Sequence, residues 1–122
     1  VLYDSFLVPA LYCDLEPLDA ETTERIFDEE SRGYGLTHRF LAMLFLEKNG
    51  CAVSRESIEA AARKMAAEQG AEDDFSDLFA ERAALLLYGG YGELIKGEWI
   101  ATIVKNQQPS GGWSDSKRFG EG

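Results

Sequence analysis

Two segments of this chain are apolar around most of a helical circumference, and they alternate with segments that are apolar on one side only. Residues 38–48 and 79–88 have the nearly continuous apolar pattern of buried helices. Residues 20–31, 55–69 and 93–106 have apolar residues at helical spacing on one face. No stretch combines alternating apolar residues with hairpin turn chemistry. The sequence therefore predicts an all-α fold of antiparallel helical hairpins.

Capping and breaking residues define the predicted helix boundaries. Residues 4–12 also have helical spacing, although Pro9 would kink or delay a helix there. Small polar residues are predicted at helix starts because their side chains accept hydrogen bonds from free backbone N–H groups, and glycines are predicted at helix ends. The predicted starts are Asp19, Thr37, Ser54 and either Asp74 or Ser76. The predicted ends are Gly33 with Gly35, Asn49 with Gly50, Gly70 in a left-handed conformation, and Gly89 with Gly90.

Length and charge restrict the domain number and the class of partner. The chain has 122 residues, of which 45% are apolar, which predicts one helical domain over residues 1–113 and a flexible tail over 114–122. Twelve basic and 22 acidic residues give a net charge of −10, so nucleic acids and anionic membrane surfaces would be repelled. No apolar run has the roughly 20 residues of a membrane span. Because the chain begins at Val1, we expect a processed chain or a fragment of a longer one.

Two cysteines leave the redox state open. Cys13 and Cys51 could form one disulfide in a secreted protein or remain two buried thiols in a cytosolic one. Their number implies neither a disulfide scaffold nor a zinc site.

The stretch that follows the last predicted helix resembles a known structural motif. The shared residues are Lys96, Gly97, Trp99, Ile100, Gln108, Gly111 and Trp113. They are similar to the QW motif of the α/α toroid families, which include terpenoid cyclases and protein prenyltransferases. The resemblance implies a partial α/α-toroid-like array and a structural corner, in which the glutamine bonds backbone at a helix end and the tryptophan covers the turn.

A second resemblance covers more of the chain. The matching residues are Leu36, Thr37, His38, Asp77, Leu78, Phe79 and Glu81. They are similar to an uncharacterised family of secreted animal proteins and bacterial relatives that is classed as a domain of unknown function. This resemblance implies no activity, and it favours a secreted protein. Family members are longer, which implies that this chain corresponds to their carboxy-terminal part.

The candidate site residues are few and each has a structural alternative. The sequence 73–77, DDFSD, has the carboxylate spacing with which isoprenoid synthases hold Mg²⁺, but acids are also typical of helix starts. His38 is the only histidine and most simply makes a structural hydrogen bond. Charges within an apolar helix must be paired or face a cavity. Because each candidate has such a structural explanation, we predict no metal and no cofactor. The candidate polar site consists of His38, Asp77, Glu81 and Arg82.

Two functional hypotheses remain. The first is a non-enzymatic helical domain that binds a protein or an apolar ligand. The second is a fragment or relative of an α/α-toroid enzyme of the terpene cyclase, prenyltransferase or polysaccharide-processing type. The sequence does not decide whether the chain is an enzyme. Because two helices are apolar almost all round, we expect exposed apolar surface that is covered by a second copy, as a two-fold homodimer, or by a missing part of a longer chain.

Overall fold

The computed structural model describes residues 4–112, and within this range the secondary structure is entirely helical, with no β-strand. The prediction of an all-α fold is therefore confirmed. None of the described helices is long and apolar enough to cross a membrane. The helices are α1 (Asp4–Leu11), α2 (Ala20–Ile26), α3 (Gly33–Lys48), α4 (Arg55–Gly70), α5 (Asp77–Tyr88) and α6 (Gly97–Lys105), with one 3₁₀ turn at Gly92–Leu94.

The chain divides into two compact units, and the boundary falls between Lys64 and Met65 within α4. In the first unit, α1, α2 and α3 contact one another pairwise. Helix α3 supplies much of the buried apolar surface of this unit, as its sequence pattern predicts. Its buried apolar residues are Leu36, Phe40, Ala42, Met43 and Leu46. The predicted domain boundaries, 1–113 and 114–122, stay a prediction, as does the toroid-like arrangement of helices.

In the second unit, α5 contacts both α6 and the 3₁₀ turn. The N-cap of α5 is Ser76, whose side chain accepts a hydrogen bond from the backbone N–H of Phe79, as predicted. Aromatic side chains make up a large part of what is buried here. The buried aromatic residues are Phe75, Phe79, Tyr91 and Trp99.

Helix α3 begins five residues earlier than its sequence predicts. Gly33 and Gly35 were expected to end the preceding helix, but both lie in the first turn of α3. Thr37 is not the N-cap; it is buried inside the helix, and its hydroxyl donates to the carbonyl oxygen of Tyr34 at 3.0 Å. A threonine hydroxyl can bond either a free N–H at a helix start or a carbonyl one turn back, so the residue type alone does not fix the boundary.

Helix α2 ends at Ile26 instead of continuing to residue 31, because two cations bind the carbonyl groups of the following loop. Arg39 donates from Nε to the Ile26 carbonyl at 2.6 Å. Lys64 donates from Nζ to the carbonyls of Glu29 and Ser31 at 2.7 and 2.8 Å. Burial lowers the pKa of Arg39, while Asp28 and Glu29 oppose that effect. These bonds satisfy loop carbonyls that a longer helix would have satisfied itself.

The last predicted helix is interrupted, and α4 ends without the predicted left-handed residue. Ile95 and Lys96 are extended, so the 93–106 segment becomes a 3₁₀ turn followed by α6. Gly92 and Gly97 flank this break, and glycine disfavours helix continuation. Gly70 is the final residue of α4 and has no positive φ, since the positive-φ residues are all other glycines.

Candidate functional site

Arg82 is buried in α5 and is bound by residues from the end of α4 and the turn that follows. Its Nη2 lies 3.2 Å from a Glu68 carboxylate oxygen, and its Nη1 lies 3.0 Å from one of Glu72. The same Nη1 donates to Oε1 of buried Gln69 at 3.1 Å. Gln69 in turn donates to the Phe79 carbonyl at 2.7 Å. We call these residues, with Arg82, the Arg82 cluster; it stabilises the α4–α5 corner.

The other candidate polar residues lie elsewhere. Asp77 is exposed and Glu81 is half-buried, one turn apart on α5. His38 is half-buried in α3, in the first unit, where its ring centroid lies 6.3 Å from that of Tyr34. The sequence predicted that Arg82 needs a partner but did not identify Glu68 and Glu72. The available signal was that Glu68 lies in the last turn of α4 and Glu72 in the turn just after it, close in sequence to the start of α5.

The DDFSD segment lies at a cleft of about 250 Å³ in the second unit. Asp73 and Asp74 line this cleft together with Glu72 and Glu98, whereas Asp77 is the first residue of α5. Among the described residues, no three histidine, cysteine or acidic side chains are placed to hold one metal ion.

The corner after α6 is closed by its glutamines. The side chain of Gln107 donates to the Gly111 carbonyl at 2.6 Å. The backbone of Gln108 donates to the Gly112 carbonyl and accepts from the N–H of Gly111. Gly111 has φ 95°, a conformation that favours glycine. Trp113, the last residue of the predicted QW motif, lies outside the described residues.

Cys13 and Cys51 form a disulfide that ties the end of α1 to the turn after α3. A second link lies beside it, because Asn49 donates from Nδ2 to the Leu11 carbonyl at 2.8 Å. The sequence left bridge and free thiols open, and the structure has the bridge. The chain segment just after α1 is thereby fixed at two points.

Helix α1 exposes an apolar face that the sequence did not identify as a site. Backbone hydrogen bonds from Leu15 and Glu16 to the Tyr12 carbonyl continue the helical path beyond Leu11. Four large apolar side chains therefore have the spacing i, i+3, i+4 and i+7 of one helix side, and the last of them, Leu15, lies in the turn after α1. This α1 face consists of Val8, Leu11, Tyr12 and Leu15, with exposed fractions of 55%, 43%, 52% and 77%.

A groove of about 270 Å³ adjoins the α1 face, and Glu16 and Asp19 are the acidic residues that line it. Val8 and Tyr12 line the groove with Pro9, Pro17 and Leu18, so much of its wall is apolar. Between residues 6 and 24 the chain has no lysine or arginine. The acidic residues of this segment, all exposed, are Asp14, Glu16, Asp19, Glu21 and Glu24.

Helix α6 in the second unit exposes a face with the same spacing. Trp99 points inward and is buried, while the opposite side of the helix is exposed and uncharged. This α6 face consists of Gly97, Ile100, Ala101 and Val104.

Comparison of the chain with known protein families, with curated proteins and with solved structures finds no match. Function is therefore inferred from the surfaces of the chain itself.

Proposed function

We propose that this chain is a non-enzymatic, secreted helical domain that binds a basic protein partner through the α1 face. The observation that carries the proposal is the row of four exposed side chains at helical spacing, Val8, Leu11, Tyr12 and Leu15. Isolated exposed apolar residues are ordinary, whereas a continuous row beside a groove is typical of a binding surface.

The spacing of the α1 face suits a helical partner. Two helices pack when the side-chain ridges of one enter the grooves of the other, and contacts recur every three or four residues. Tyr12 supplies an aromatic ring with a polar end, which is common among the residues that dominate binding energy. Full burial of one leucine contributes about 1.5 to 3 kcal/mol. The four side chains are 43–77% exposed, so their burial by a partner contributes on the order of 3 to 7 kcal/mol, which suits a weak complex.

The surrounding charge selects the chemistry of the partner. Five exposed carboxylates lie between positions 6 and 24, and among the described residues only Glu21 of these is paired, with Arg25 at 3.1 Å; the excess of negative charge attracts a positively charged segment. A second copy of this face would bring carboxylates against carboxylates, which opposes self-association there. We therefore assign the α1 face to an amphipathic helix whose apolar side is flanked by lysines and arginines.

Three synthetic amphipathic helices of one apolar pattern test this assignment, with basic, neutral and acidic polar faces. We expect the basic peptide to bind most tightly by calorimetric titration, with an affinity that falls as salt is raised. Leu15→Gln should weaken it about tenfold or more, whereas Leu87→Gln, at an exposed leucine of the second unit, should not. Equal binding of the three peptides would refute the charge selection, and binding unaffected by Leu15→Gln would refute the site.

The Cys13–Cys51 bridge supports the secreted location. Disulfides persist in oxidising compartments and are rare in the cytosol of most organisms. Thiol titration of the protein purified from its native compartment, in denaturant, should find no free thiol. Two free thiols would contradict a secreted location. They would not test the α1 face, which the peptide experiment tests separately.

A further inference from the structure

We infer that the protein self-associates through the α6 face, with α6 of one copy antiparallel to α6 of a second copy about a two-fold axis. Ile100 is 45% exposed and Val104 is 63% exposed, although they are large aliphatic residues one turn apart. Gly97 and Ala101 lie beside them on the same side of the helix and are also exposed. A side chain added at Gly97 would meet no atom within 4 Å, so the space in front of this face is open.

The sizes of these four residues fit an antiparallel arrangement with the axis between positions 100 and 101. Residues whose numbers add to 201 then face each other across the axis. Gly97 of one copy faces Val104 of the other, and Ile100 faces Ala101. Every large side chain therefore meets a small one, which lets two helices approach closely with interlocking side chains.

The charges at the edge of the face select the same orientation. Glu98 and Lys105 are seven residues apart, so they lie on the same side of α6, two turns from each other. A two-fold axis perpendicular to both helices brings equivalent edges together. Glu98 of one copy then lies near Lys105 of the other, about 3 Å apart along the helix axis, and the symmetric pair forms as well. Opposite charges at such edge positions favour one orientation of a helix pair.

The occupant of the α6 face is therefore a second copy of this chain. A face that matches itself under a two-fold rotation in both size and charge is the requirement for a closed homodimer. The α1 face lacks this property, because the sequence beside it has five acidic residues and a single arginine, which pairs with Glu21.

The short length of α6 sets the strength of the dimer. The helix has nine residues, so the contact spans about two turns. This is small compared with the interfaces of permanent dimers, and weak, transient contacts lie in that size class. We expect a monomer–dimer equilibrium that depends on concentration, with dimer detectable above roughly 100 µM.

Sedimentation equilibrium of the oxidised chain and of two charge-reversal variants tests the pairing. Glu98→Lys leaves only positive charges at this edge, and Lys105→Glu leaves only negative ones. Each variant alone should dimerise about tenfold more weakly than the native chain, because both interchain pairs become repulsive. An equimolar mixture of the two should recover dimer at least as well as the native chain, since all four charges are then paired.

A second variant separates the apolar contact from the charges. Ile100→Asp should abolish dimerisation, while Leu15→Asp, which places the same charge on the α1 face, should leave it unchanged. Circular dichroism of each variant verifies that the helices are retained. A native chain that stays monomeric at about 500 µM, or a mixture of charge variants that fails to recover dimer, would overturn the inference. Neither result would affect peptide binding at the α1 face, so the two proposals fail independently.

Discussion

The α1 face and the α6 face have the same spacing of exposed apolar residues but different surroundings. On the α1 face the exposed side chains are large, and acidic residues outnumber basic ones in the segment from residue 6 to residue 25 by five to one. On α6, large residues alternate with Gly97 and Ala101, and the edge carries one charge of each sign. Helical spacing shows that a face can accept another helix, whereas residue size and charge sign decide which helix it accepts.

The two units also hold their helices by different means. In the first unit a covalent bridge fixes the end of α1. In the second unit the Arg82 cluster fixes the α4–α5 corner through ion pairs and amide hydrogen bonds. Reductant breaks the bridge, and substitution of one buried charged residue breaks the Arg82 cluster. Each link can therefore be removed separately.

The largest effect is expected from removing the bridge with Cys13→Ser and Cys51→Ser together. The bridge spans 38 positions, and closing a loop of that length stabilises the folded state by about 4 kcal/mol in the chain-entropy description. Urea unfolding of the oxidised native chain and of the double variant measures this difference. Amide exchange should increase most in α1. An unchanged urea midpoint would show that Asn49 and the apolar contacts of α1 suffice.

A slightly smaller loss is expected from Arg82→Leu. It leaves Gln69 and two carboxylates without their cation, and breaking a buried ion pair in this way costs about 3 kcal/mol. The matched control is Arg63→Leu, because Arg63 pairs with Glu59 at 3.0 Å but both side chains are largely exposed. The control should lose about 0.5 kcal/mol or less. Equal losses in thermal unfolding would mean that burial adds nothing to the Arg82 cluster.

An effect of about tenfold on binding is expected from one polar substitution on each face. Leu15→Gln should weaken the basic peptide complex and leave the dimer intact, whereas Val104→Gln should do the reverse. Calorimetry and sedimentation on both variants measure the two equilibria. If either substitution impaired both, the two faces would be parts of one surface and the distinction between their partners would be lost.

The smallest effect is expected at Asp19, the exposed N-cap of α2 at the edge of the groove. Hydrogen bonds donated by Thr22 lower the pKa of Asp19 below its ordinary value of 3.8. Because the folded pKa is the lower one, the stabilisation is complete above the unfolded pKa and is lost as the pH falls through the folded pKa. Thermal unfolding near neutral pH and near pH 3 measures how much stability is lost on acidification. Asp19→Asn should lose less stability than the native chain, since asparagine caps the helix without a charge. If both chains lost the same stability on acidification, other carboxylates would be responsible for that loss.

The elements that depend on local chemistry could be predicted from the sequence, and those that depend on distant contacts could not. Ser54 and Ser76 cap the helices that follow them, as expected, because each bond joins residues three positions apart. The end of α2 depends on Arg39 and Lys64, which lie 13 and 33 or more positions from the carbonyls they bind. No local pattern contains that information.

The candidate site divides in the same way. The need of Arg82 for a partner followed from its apolar neighbours in sequence, but its partners lie 10 to 14 positions away. The helical spacing of residues 4–12 was recognised, but the α1 face was missed because exposure cannot be deduced from a segment whose packing is unknown. The resemblance to α/α toroids stays a prediction, since Trp113 lies outside the described residues.

The Cys13–Cys51 bridge has a consequence for proteolysis. The exposed acidic residues Asp28, Glu29 and Glu30 lie in the loop between α2 and α3, inside the segment that the bridge closes. A protease that cuts this loop would leave two pieces joined by the disulfide, because Cys13 is on one piece and Cys51 on the other. The cleaved protein would migrate as one species until reduced. A single cut in this loop would therefore not release α1 from the rest of the chain.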